Sequence, residues 1–169
     1  MASKLRVDSI LPVDGAPTNG GGGIIQVVHG TATSETSQSF STTNFADTGL
    51  SATITPKFST SKILVTGYLS YYVDINADAS IEWNFAVCDG SDNILDGTTA
   101  TTRGYRANTV YQVGGKHPIN FLHSPSTTSA FTYKMRMNAV STNGSGGVYC
   151  QVNGTANNIS RITLMEVSA

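Results

Sequence analysis

The chain has 169 residues, a length that fits one domain. Only 12% of them are charged and the net charge is −1, so neither a domain-wide basic footprint for nucleic acid nor a strongly acidic solvating chain is encoded. No apolar run approaches the roughly 20 residues of a membrane-crossing helix.

Small polar residues take the place of charge: 19 Ser, 22 Thr, 17 Gly and 12 Asn. The opening MASKLRVDSILPVDG carries Lys4 and Arg6, but Asp8 interrupts it and no apolar run follows. It does not read as a signal peptide, so the expectation is a cytoplasmic protein or one delivered outside by another route. Within this stretch Leu5, Val7, Ile10, Leu11 and Val13 are apolar, then Pro12, Pro17 and Gly20 to Gly23 break any regular pattern. A run of glycines has no preferred backbone conformation. Residues 1–23 therefore read as an extended docking arm with a glycine hinge, and a frayed terminus is the plainer alternative. Residues 24–169 read as one β domain.

From Ile24 onward the apolar pattern has period two, the mark of half-buried strands. Candidate strands are Ile24–His29, Leu50–Thr55, Ile63–Ile75, Ile81–Val87, Tyr105–Val113, Pro118–Leu122, Phe131–Ala139, Val148–Val152 and Ile159–Val167. Turn signals are Asp89-Gly90, Asp96-Gly97, Gly114-Gly115, Asn143-Gly144 and Asn153-Gly154, pairs that supply the backbone freedom hairpins need. No window longer than about a turn has helical periodicity. The expected fold class is all-β: an antiparallel sandwich, jelly-roll-like, of about nine or ten strands. Val65, Trp83, Phe85, Phe131, Tyr133 and Met135 lie on the apolar phases and are the expected core. The Ile63–Ile75 strand also carries Leu64, Tyr68 and Tyr72 on its other phase, which predicts burial against another subunit.

Cys88 and Cys150 read as small buried strand residues, with a single disulfide as the alternative. His29, His117 and His123 stand in no metal or nucleophile motif and read as surface residues. Asp89, Asp92 and Asp96 form an acidic turn able to hold calcium but more simply explained as turn caps. Asp74-Ile-Asn76-Ala-Asp78 begins like a calcium loop but lacks its glycine and its twelfth-position acid. The sequons at Asn143, Asn153 and Asn158 are expected by chance in so Asn- and Ser/Thr-rich a chain. No catalytic, metal or cofactor site emerges.

Four segments carry a resemblance: SKLRVDSILPVDGAPTNGGGGIIQVV at the start, TGLSATITP with STSKILV (48–56 and 59–65), FLHSPSTTSAFTY (121–133) and ITLMEV (162–167). Their order resembles virion appendage proteins of tailed phages, marine phages in particular, of the tail-fibre, spike or head-decoration kind. The resemblance implies a virion protein with a jelly-roll-like body, a homotrimer, and attachment to tail or capsid proteins through the arm. It transfers no catalytic residue and implies no nucleic-acid or membrane-inserted partner. A short trimeric tail fibre or spike in host attachment is the first expectation, a capsid decoration or head fibre the alternative. In the former, Asp89–Arg106 and Asn143–Asn158 would offer polar loops to a host glycan or protein. A cellular β-sandwich lectin or glycosidase is the third and least favoured reading.

Overall fold

The computed structural model describes residues 23–39, 42–76, 80–97, 102–105, 111–151 and 158–168. The arm residues Leu5, Val7, Ile10, Leu11 and Val13, the Asn153-Gly154 pair and Asp78 lie outside the described residues. The strands are β1 (Ile24–Ala32), β2 (Thr36–Ser39), β3 (Thr42–Ile54), β4 (Lys62–Ile75), β5 (Ser80–Cys88), β6 (Ile94–Gly97), β7 (Thr102–Tyr105), β8 (Tyr111–His123), β9 (Phe131–Asn143), β10 (Gly146–Cys150) and β11 (Ser160–Val167).

They form two antiparallel sheets. In the first, β4 is central. Its Lys62–Tyr68 half pairs with β11 and its Tyr71–Ile75 half with β10, while β8 runs along its other edge. β1 flanks β11, and β2 flanks β10. The second sheet runs β3-β9-β5, with β6 and β7 sharing the outer edge of β5. If β1/β2, β6/β7 and β10/β11 are each taken as one interrupted strand, eight remain, in the orders 1-8-3-6 and 2-7-4-5. That is the order of a jelly roll: four antiparallel pairs, folded alternately into two facing sheets. The fold is an all-β, jelly-roll sandwich.

The core lies where the inward phases meet. Ile63, Val65, Leu69, Val73 and Ile75 of β4 face Ile81, Trp83, Phe85 and Val87 of β5 and Tyr133, Met135, Met137 and Ala139 of β9, with Ile162 and Leu164 of β11 completing the layer. Alternation puts all of these on one side of the pleat, and burying them is the main driving force for the fold. Phe131 departs from expectation. It is only partly buried, packed at the rim against His123 and Tyr133, because it is the first residue of its strand. Cys88 and Cys150 are buried and free, and burial pushes the Cys150 thiol up to about 12.

The Gly114-Gly115 signal is not a turn. β8 runs without a break through Gly114 and Gly115, where a side chain on Gly115 would meet the Tyr71 ring at 3.3–3.4 Å. The glycine makes room for an aromatic ring. Gly97 is the last residue of β6, with φ +142°, and a Cβ there would come within 2.6 Å of the Ala86 Cα. Asp89-Gly90 and Asn143-Gly144 do turn the chain, between β5 and β6 and between β9 and β10. β2, β6, β7 and the first half of β3 went unpredicted, since their sequences are mostly polar and are held by pairing to apolar neighbours.

The change from β10 to β11 along β4 leaves backbone groups that need partners. A buried polar node supplies them. Ser70 N–H donates to Ser160 Oγ (2.9 Å), and Gln151 N–H donates to Ser70 O (3.2 Å). With its amide oriented to match its neighbours, Gln151 donates to Thr48 O and Ser34 O (3.0 Å each) and accepts from Ser160 Oγ (2.7 Å). Gln151 takes a left-handed conformation, φ +53°, as the chain leaves the sheet.

Candidate assembly surface

Cross-strand register sorts the outer face of the first sheet into rows. Val27, Met165, Leu64 and Leu122 are successive partners on β1, β11, β4 and β8, forming an apolar row across four strands. The next outward row is polar: His29, Thr163, Thr66 and Asn120, with a 3.1 Å contact between His29 Nδ1 and Thr163 Oγ1. The third is Thr31, Arg161, Tyr68 and Pro118. Farther along β4, Tyr72 pairs with Tyr149 and with Gly114.

The three residues expected at a subunit interface are all half-buried and lie on this face, but in three different settings. Leu64 belongs to the apolar row. Tyr68 is covered within its own chain: Arg161 Nη1 donates to its hydroxyl (2.9 Å), and the Lys116 ammonium lies 4.5 Å from its ring centre. Tyr72 packs on Tyr149, centroids 6.0 Å apart, and the two rings lie beside Gly114 and Gly147, where a Cβ would meet them at 3.7 and 3.1 Å. Burial, with Asp74 and Tyr149 nearby, raises the Tyr72 phenol above its usual range. Val27, Met165 and Leu122 were not singled out from the sequence. Each looks like an isolated outward residue until register aligns them.

The large apolar side chains that stay exposed among the described residues are Ile24 (60%), Val27 (57%), Phe58 (58%), Ile94 (56%) and Leu122 (54%). All five lie at one end of the sandwich, where β1 begins, β3 passes to β4, β5 turns into β6 and β8 ends. The same end holds the buried carboxylate of Glu166. Burial alone would raise its pKa, but Gln26 and the backbone N–H groups of Lys57 and Phe58 donate to it and hold it below the ordinary value. Those bonds tie the β3–β4 connection to β11.

The outer face of the second sheet is closed by charge. Arg136 on β9 pairs with Asp47 (3.2 Å) and Asp92 (3.1 Å) and donates to Phe45 O, while Lys134 pairs with Asp92. The Lys134 bond holds the Asp92 carboxyl below its usual range. Asp89 caps its own turn, accepting from Ser91 N–H (2.8 Å), Asn93 N–H (2.9 Å) and Asn93 Nδ2 (2.8 Å). Asp89 and Asp92 therefore serve different partners instead of converging on one point. Asp74 lies on β4, and Asn76 donates to Ser145 Oγ (2.8 Å).

The histidines depart from a surface reading at two of three positions. His117 reaches into the sandwich, 5.0 Å from the Phe85 ring, and His123 Nδ1 contacts the hydroxyl of the buried Tyr133 at 2.8 Å. Burial lowers both histidine pKa values, against the opposing pull of Asp96 and Asp89 respectively. Among the described residues no group of three or more His, Cys, Asp and Glu is arranged to hold a metal. The two polar regions expected to meet a host ligand come together only in part: Tyr105 of the first and Asn143 of the second both pair with Ser80. The Asp89–Asn93 turn lies at the end where β1 begins, the Asn143–Ser145 turn at the opposite end.

The sequence matches no protein-family model and no curated protein. The structure is similar to a chain of infectious bursal disease virus, Gx strain, with TM-score 0.44 and 13% identity over 99% of this chain and 42% of that one. For the Gt strain the values are 0.42, 14%, 99% and 42%. For deformed wing virus, a honeybee pathogen, they are 0.19, 13%, 100% and 52%. The chain thus spans about half or less of the length of these solved chains.

Proposed function

We propose that this chain is a virion structural protein with a mechanical and not a catalytic role: the body of a short trimeric tail fibre or spike that takes part in host attachment. The observation that carries the reading is the asymmetry of the jelly roll. One outer face is closed by ion pairs, whereas exposed apolar side chains gather at the end where the arm enters. A surface of that kind suits contact with other protein. The resemblance of four segments to tailed-phage appendage proteins supports the same reading. In it, residues 1–23 join the subunit to tail or capsid proteins, and the Tyr72–Tyr149 side of the first sheet faces neighbouring copies about a closed symmetry axis. The Asn143–Ser145 end then points outward toward a host glycan or protein.

Quantitative mass spectrometry of purified particles tests location. A few to tens of copies per particle fit a tail appendage; tens to hundreds fit a capsid decoration. Absence from the particle would overturn the virion reading altogether. Light scattering of the isolated chain tests the trimer, and a monomer at micromolar concentration would remove it.

A further inference from the structure

We propose that in the free subunit the chain's own N-terminal segment, Leu5 to Val13, lies across the row Val27–Met165–Leu64–Leu122. The observations are the row, the place where the chain enters it, and the pattern of the segment outside the described residues. The row is continuous in register, and its two ends, Val27 and Leu122, are each more than half exposed. Four strands at about 4.8 Å spacing make it about 14 Å long. It lies next to the point of entry, since Gly23 precedes β1 and Val27 is about 13 Å further along that strand.

The segment has the matching pattern. Leu5, Val7, Leu11 and Val13 share one phase of an extended chain, interrupted by Ser9; the other phase carries Lys4, Arg6 and Asp8, then Ile10 and Pro12. An extended piece of four or five residues spans the row. The tether is long enough: ten peptide steps separate Val13 from Gly23 and reach about 33 Å when extended. Gly20 to Gly23 can make the reversal this path needs. A tether of this length gives an effective concentration in the millimolar range, so at micromolar protein the chain's own segment outcompetes that of any other copy. The arm is then stowed on the free subunit and becomes available to virion partners when it is displaced. This goes beyond the proposed role and does not depend on it.

Disulfide trapping in the full chain tests it. Cys88 and Cys150 are buried and do not compete. Leu11→Cys is combined with Leu122→Cys, or with Thr53→Cys on the outer face of the second sheet as the control. Both variants are oxidised at micromolar concentration. The expected result is an 11–122 link within one chain, formed about 10-fold or more faster than the 11–53 link. Adding Met165→Asp should bring the rate down to that of the control. Equal rates for the two pairs, links mainly between chains, or a rate unmoved by Met165→Asp would each overturn the proposal. The link between chains would assign the row to a neighbour's segment instead.

Discussion

The two outer faces of this sandwich are built on the same alternation and solve the same problem differently. On the second sheet, the outward phase of β9 carries Lys134 and Arg136, which are tied to Asp47 and Asp92 from β3 and the β5–β6 turn. On the first sheet, the outward phase of β4 carries Leu64, Tyr68 and Tyr72, and only Tyr68 finds charged cover within the chain. The charged face is complete as it stands. The other keeps apolar surface that one chain does not need for its own fold, and the proposed assembly rests on that difference.

The comparison can be broken most forcefully at Arg136. Replacing it with Ala removes a largely buried side chain and leaves the Phe45 carbonyl without its donor, while the exposed Asp47 stays solvated, and should cost about 1–3 kcal/mol in chemical denaturation. A loss under about 0.5 kcal/mol would place the network among ordinary surface pairs.

The interior between the faces gives a pH signature. His117 and His123 have folded-state pKa values below the unfolded one, so the unfolded chain binds more protons in that window. Their contribution to stability is complete above an unfolded pKa of about 6.5 and is lost as pH falls below it. The melting temperature should therefore fall between pH 7 and pH 5, and His117→Gln should flatten that slope. An unchanged slope in His117→Gln would assign the dependence to other groups.

A smaller effect sharpens the first face. A double-mutant cycle on Tyr72 and Tyr149 should give a coupling of about 0.5–1.5 kcal/mol, the range for tilted ring pairs. Zero coupling in the isolated chain would mean that these rings gain their energy only against another copy. The smallest effect on stability belongs to Leu122→Ser, within about 0.5 kcal/mol because the side chain is more than half exposed. Tyr72→Ala should weaken self-association measured by sedimentation, whereas Thr53→Ser on the charged sheet should leave it unaltered.

Alternation alone revealed the long strands. Ile63–Ile75, Ile81–Val87 and Phe131–Ala139 were legible because each buries an apolar phase, and that requirement is written residue by residue. So was the class of the fold, since short alternating segments punctuated by Asn-Gly and Asp-Gly form few other structures. The polar strands were not legible. Thr36–Ser39 carries no pattern of its own and exists because β10 offers it a ladder. Gly114 and Gly115 were misread as a turn because a glycine pair is the same in sequence whether it bends the chain or makes room for tyrosines on the next strand.

What the sequence determined by itself is therefore the set of side chains that must leave water, together with the apolar character of Leu64, Tyr68 and Tyr72 on an outward phase. Only the tertiary structure decided their company. Register between strands far apart in sequence placed Leu64 with Val27, Met165 and Leu122, gave Tyr68 to Arg161 and Lys116, and set Tyr72 on Tyr149. The physical reason is that burial is a property of a residue, whereas a surface is a property of neighbours. In a jelly roll those neighbours come from strands as far apart in sequence as those that pair Ile24 with Val167, and no local pattern encodes their alignment.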